Sequence, residues 1–103
     1  MEGRQGEARP VRKRYWIKIR RKAAKELRKL PEPDRLRIAH DIDLLASDPR
    51  PAGRVKQLDK DIYRIRTGNY RSIYEVRDAD RIVLVLVIGH RRYVYEQFGR
   101  GDR

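Results

Sequence analysis

Apolar and polar positions change period several times along this chain, and each change predicts a different element. Tyr15-Trp16-Ile17-Lys18-Ile19 is dense in aromatic and β-branched residues and predicts a first strand. From Lys22 to Leu30 the period becomes helical: Ala23, Ala24, Leu27 and Leu30 fall on one side, with Lys22, Lys25, Arg28 and Lys29 around the rest. The start of this helix is weakly marked, because Arg20 and Arg21 offer no short oxygen-bearing cap. Pro31-Glu32-Pro33 ends it and opens another; Pro33 suits a first helical turn and Asp34 its positive dipole end. Ile38, Ile42 and Leu45, with the smaller Ala39 and Ala46, form the stripe expected to be buried, and Leu36 and Leu44 widen it. So short a link predicts an antiparallel helical hairpin.

Ser47-Asp48-Pro49-Arg50-Pro51 breaks the second helix, and a loop through Gln57 and Leu58 is expected to follow. Two strand-like runs then flank Gly68-Asn69, which predicts a hairpin with a two-residue turn. That loop length sets the register: Thr67 faces Tyr70, Arg66 faces Arg71, Ile65 faces Ser72 and Arg64 faces Ile73. Side chains alternate along a strand, so Arg64, Arg66 and Arg71 share one face, and Tyr63, Ile65, Tyr74 and Val76 share the other. Asp78-Ala79-Asp80 turns the chain into Ile82–Ile88, seven consecutive apolar residues, the mark of a central strand covered on both faces. The segment from His90 to Phe98 fits either a helix or an irregular tail. The order predicts an α+β domain over residues 14–99. It has an N-terminal strand at a sheet edge, a helical hairpin packed on one side of a three-stranded antiparallel meander, and a short C-terminal segment. Residues 1–13, basic and interrupted by glycine and proline, read as a tail.

Charge narrows the choice of partner. Lys+Arg of 27 against Asp+Glu of 15 gives a net charge of +12, which favours a polyanion, nucleic acid first and an acidic protein or anionic membrane second. The chain has no cysteine, so disulfides and thiolate metal sites are excluded. Its longest apolar run is too short to span a bilayer and its N-terminus carries no hydrophobic signal segment, so a cytoplasmic protein without membrane attachment is expected. There is no glycine-rich phosphate loop, histidine cluster, Ser-His-Asp order or acidic triad. Chemistry on phosphate would therefore run without a metal or other cofactor. RNA permits that, since its own 2′-hydroxyl can attack the adjacent phosphate.

Like charges opposite one another on a sheet cost stability, so three arginines stacked on one face point to an anion. Guanidinium groups bind phosphate bidentately and stay charged, which suits them to stabilise a phosphorane-like transition state; the blander explanation is a face made soluble by arginine. Arg91 and Tyr95 share a face whether the tail is helical or extended, and a tyrosine beside arginines can stack on a base or move a proton. His90, just past the central strand and flanked by arginines, is a candidate general base, although a lone histidine at a strand end is more often structural. Tyr93 and Phe98 read as packing residues, and His40 as solvated. Lys18, Arg20, Arg21, Lys22, Lys25, Arg28 and Lys29 could track a nucleic-acid backbone, and a solvated helix face explains them almost as well.

Ala23-Ala24-Lys25-Glu26-Leu27-Arg28-Lys29-Leu30-Pro31, Val55-Lys56-Gln57-Leu58, Tyr63-Arg64-Ile65-Arg66, Gly68-Asn69-Tyr70-Arg71-Ser72-Ile73-Tyr74 and Gly89-His90-Arg91-Arg92-Tyr93-Val94-Tyr95 together resemble the RelE/ParE toxin superfamily. The similarity runs from about residue 15 to 98, and its specificity lies in the order and spacing of the segments. It implies the toxin of a type II toxin–antitoxin pair, which in the RelE branch enters the ribosomal A site and cuts mRNA. By position, Arg64 and Arg66 match a basic pair around the scissile phosphate, where some relatives have lysine. Arg71 matches the arginine after the hairpin turn, Arg91 the one after the last strand, and Tyr95 the C-terminal tyrosine. His90 sits where only some relatives carry histidine. The resemblance implies as partners a cognate antitoxin, the ribosome with its mRNA, and operator DNA only through the antitoxin complex. The ParE branch shares the fold, inhibits DNA gyrase and is not a nuclease; it usually lacks the full arginine-plus-tyrosine set. A non-toxic relative that binds only antitoxin and DNA is the third reading.

Overall fold

The computed structural model describes residues 14–101, so the basic tail at 1–13 lies outside the described residues. The elements run β1 (Trp16–Ile19), α1 (Arg21–Arg28), α2 (Glu32–Leu44), β2 (Val55–Asp59), β3 (Ile62–Thr67), β4 (Tyr70–Arg77), β5 (Ile82–His90) and α3 (Val94–Gly101). The strands make one sheet in the order β1-β5-β4-β3-β2.

The β3–β4 register follows from its turn. Thr67 pairs with Tyr70, Arg66 with Arg71, Ile65 with Ser72 and Arg64 with Ile73. Gly68 takes φ +59 at the first turn position, where a II′ turn needs glycine. β1 lies at a sheet edge as expected, parallel to β5 with Trp16 opposite Ile82, so it makes the sheet mixed beside the expected antiparallel meander, which β2 extends to four strands. The expected loop around Gln57 and Leu58 is also corrected: Val55–Asp59 is an edge strand antiparallel to β3. Its polar Lys56, Gln57 and Asp59 suit an edge that meets solvent, which is why the apolar pattern is faint there.

β5 carries a bulge. Ile73 pairs with Val87 while Tyr74 pairs with Val85, leaving Leu86 as the extra residue. Leu86 and Val87 therefore face the same way. Val83, Val85 and Ile88 join Ala23, Ile38, Ile42, Leu45, Ile65, Tyr74 and Val76 in the larger core beneath α1 and α2. On the opposite face Leu86, Val87 and Ile73 pack with Val94 and Phe98 of α3, so helices cover both sides. The expected stripe on α2 narrows to Ile38, Ile42, Leu45 and Ala46; Ala39 is exposed, and Leu36 and Leu44 are 55% and 47% exposed. One face of a helix lying on a sheet can bury only so wide a stripe, and these residues sit at its rim.

A polar and aromatic clasp ties the ends together. Tyr15 donates to Asp78 at 2.5 Å, and Arg50 donates to Asp78 at 2.6 Å and to the Tyr63 hydroxyl at 2.9 Å. Tyr63 stacks on Tyr74, whose hydroxyl donates to Pro49 O at 2.7 Å. Among the described residues no helix is long and apolar enough to cross a membrane.

Candidate functional site

Alternation on β3 and β4 sends Arg64, Arg66 and Arg71 to the face that also carries Ile73, opposite the α1–α2 layer. The bulge in β5 reverses the facing of every later residue on that strand. Past Leu86 the odd positions turn to this same face, so Gly89 lies opposite Arg71 and the chain leaves it at Arg91. The Arg91 N–H donates to Asn69 O at 2.8 Å, which pins that exit to the hairpin turn. α3 then starts at Val94, fully buried, and its first turn presents Tyr95, 43% exposed.

These pieces enclose a recess of about 400 Å³ lined by Arg64, Arg71, Arg91, Arg92 and Tyr95. Arg71 is fixed within it by donating to Gly68 O at 3.1 Å and Tyr70 O at 3.0 Å. Burial, followed by the charge of Arg64, holds the Arg71 guanidinium below its usual value, with Arg66 and Arg91 adding to the repulsion and Tyr95 opposing it. Arg64 Nε is buried and meets no hydrogen-bond acceptor among the described residues. Buried donors are seldom left unpaired. Four guanidinium groups crowded at one recess suit a dianionic or transition-state phosphate, and the tyrosine hydroxyl at its rim suits base stacking or proton transfer.

Arg66 lies at the hairpin end of the same face and turns into a neighbouring recess with Leu36, Arg37, His40 and Arg54. His90 is not brought to the arginines. It lies opposite Tyr70 on the α1–α2 side, meets the Tyr70 ring edge-on at 5.9 Å and Tyr93 at 6.0 Å, and accepts the Arg92 N–H through Nδ1 at 3.2 Å. Arg21, Lys22, Lys25, Arg28 and Lys29 are carried on and just after α1, which packs on the sheet face away from the recess; Lys29 sits 3.9 Å from Glu26. Lys18 is on β1, at the far edge. Two cations of the face were missed by sequence reasoning. Arg92 lines the recess directly, and Lys56 on β2 lies opposite Arg64. The signal for Lys56 was the Val55-Lys56-Gln57-Leu58 alternation, too short and polar to stand out. Among the described residues, no three His, Cys, Asp or Glu side chains cluster as metal ligands.

Fold and site thus define a small basic α+β domain with an arginine-rich sheet face closed by a C-terminal helix. The family model for the ParE toxin of type II toxin–antitoxin systems matches residues 17–95, and the chain belongs to this RelE/ParE toxin superfamily. A RelE-like toxin protein of Escherichia coli is 31% identical over 81 residues, covering 76% of this chain and 84% of its own. The RelE–RelB complex of Pyrococcus horikoshii contains a chain 30% identical, with TM-score 0.66, covering 75% of this chain and 94% of that one. The free form of an arginine-substituted E. coli RelE is 25% identical, with TM-score 0.72 and coverage of 86% and 95%. The chain is a RelE-like toxin of the type II class.

Proposed function

We propose that this toxin is a ribosome-dependent endoribonuclease that cuts mRNA in the A site and is held inactive in the cytoplasm by a cognate antitoxin. The observation that carries the reading is the convergence of Arg64, Arg71, Arg91, Arg92 and Tyr95 on one recess. In the reaction the 2′-oxygen attacks the adjacent phosphorus. The O2′–P bond forms, the P–O5′ bond breaks, and the products are a 2′,3′-cyclic phosphate and a 5′-hydroxyl. The guanidinium groups would neutralise the equatorial oxygens as charge develops, and Tyr95 would orient the base or carry a proton between the two oxygens. Arg66 would hold the strand at the hairpin end. His90, on the other side of the sheet, would shape the turn that presents Arg91 and Arg92.

The antitoxin reading rests on the relatives, among them the P. horikoshii RelE–RelB complex, and on a second surface. Ile17, Ile19, Leu27, Leu36, Ala39 and Ile42 line a groove of about 420 Å³ between β1 and the two helices. A flexible segment with apolar anchors fits this lining, and the basic residues of α1 beside it, among them Lys25 and Arg28, favour acidic flanks.

The test adds purified toxin to ribosomes programmed with mRNA and maps ends by primer extension, with a parallel gyrase supercoiling assay. A cut in the A-site codon with a 2′,3′-cyclic phosphate end is the expected result. The matching family model bears the ParE name, which favours a second reading, gyrase inhibition; intact mRNA beside inhibited gyrase would establish that one instead.

A further inference from the structure

The β2–β3 register extends the cationic face by one strand. Lys56 is the Cα partner of Arg64, on the outermost strand, and residues opposite one another on adjacent strands point to the same face. The row across the sheet therefore reads Lys56, Arg64, Ile73, Val87. α3 closes its Ile73–Val87 half, and the Lys56 half stays open. Lys56 is exposed and forms no ion pair among the described residues, while Arg54 on its approach is 3.0 Å from Asp41 and Lys29 is within reach of Glu26. The strand acids on this face, Glu75 and Asp59, both lie opposite Ile62 further along the strands; Glu75 pairs with Arg77 at 3.0 Å and the Asp59 carboxylate accepts the Lys60 N–H at 2.8 Å. Beside Arg64 the face thus keeps one uncompensated ammonium, about one strand spacing of ~4.8 Å from the recess.

We infer that Lys56 binds the phosphate next to the cleaved one, on the β2 side, and so sets which linkage of the strand enters the recess. This rests on the nuclease reading above and deepens it. A compact ammonium on a flexible stem binds phosphate as a point charge without demanding bidentate geometry, which suits a flanking contact better than a reacting one. Lys56 is a binding residue, not a catalytic one, so its loss should weaken substrate capture and leave the chemical step intact.

The experiment compares wild type, Lys56→Gln and Lys56→Arg on programmed ribosomes, with two mRNAs: one unmodified, one carrying an uncharged methylphosphonate at the linkage flanking the cut. On unmodified mRNA, Lys56→Gln should raise KM several-fold at unchanged kcat, Lys56→Arg should restore it, and the log–log salt slope should fall by about 0.7, the value for one phosphate contact on a single strand. On the methylphosphonate mRNA the difference between wild type and Lys56→Gln should vanish. If it persists there, Lys56 contacts ribosomal RNA and the inference is overturned; an unchanged KM and slope overturn it equally. Binding to ribosomes carrying an uncleavable 2′-deoxy mRNA, with and without the methylphosphonate, decides Lys56 independently. Wild-type toxin that binds but never cuts would therefore sink the nuclease reading alone.

Discussion

Arg71 and Arg91 reach the recess by different routes, and both routes run through the hairpin turn. Arg71 donates to two carbonyls beside Gly68-Asn69, and the Arg91 backbone donates to a third. Removing one preorganised cation from a charge-developing site costs about 10²–10³ in rate, by analogy with oxyanion-hole donors. Arg71→Ala and Arg91→Ala should each lose cleavage by that order on programmed ribosomes while keeping the wild-type melting midpoint within a few degrees. His90→Ala should stay within about tenfold of wild type, below a typical general acid–base contribution of 10²–10⁴, because its ring packs between Tyr70 and Tyr93. A loss equal to that of Arg91→Ala would restore a direct role. The shared face of Arg64, Arg66 and Arg71 was legible because a two-residue turn admits one register. The side taken by His90 was not, because a bulge inside seven apolar residues leaves no trace in an unbroken hydrophobic run yet inverts every position after it.

α3 is a short helix held by few residues. Val94 is fully buried against Ile73, Leu86 and Val87, and Phe98 adds to the same patch. Val94→Asp would place a carboxylate there and release the helix, and misplacing catalytic groups by even an ångström can cost about 10² in rate. Cleavage should fall by that order, with hydrogen exchange rising in α3 and staying slow in β4 and β5. On the other layer, Ile19→Asp should abolish antitoxin capture in co-purification while leaving cleavage intact, since Ile19 lines the groove at its exposed β1 edge, apart from the arginine recesses. The two helices were legible from their period. The width of the α2 stripe was not, because only the sheet beneath it decides how many rim residues are covered. β2 escaped for the opposite reason: as an edge strand it buries little and alternates weakly.

At the scale of the whole molecule, two forces respond differently to solution conditions. With a charge of +12, the proposed RNA binding should fall steeply with salt, whereas apolar anchors of an antitoxin in the α1–α2 groove would not be screened. The antitoxin complex should therefore survive salt that releases RNA, measurable by size exclusion at roughly 0.1 and 1 M salt. Alkali should act through the clasp. Burial raises the Tyr74 hydroxyl well above the ordinary 10.0, and the hydrogen bond to Asp78 raises that of Tyr15. Above pH 10 the unfolded chain releases these protons while the fold retains them, so the folded state binds more protons and stability falls as pH rises; below pH 10 the contribution is intact. Tyr74→Phe should lower stability at neutral pH by about 1 kcal/mol and flatten the alkaline decline in urea titrations. Composition announced a polyanion as partner; the clasp joins side chains so distant in the chain that no local pattern could announce it.

The parallel pairing of β1 with β5 has a consequence for how the toxin is made. Trp16 leaves the ribosome early, and its partner Ile82 is translated much later. The nascent chain thus carries an unmatched first strand and an open apolar layer through most of synthesis, and long-range closures of this kind are slow. Arg91, Arg92 and Tyr95 come later still. On the proposed reading, a cell translating this message would hold a poison that stays unarmed until strand β5 and helix α3 emerge, while the groove proposed for its inhibitor is drawn from residues already made.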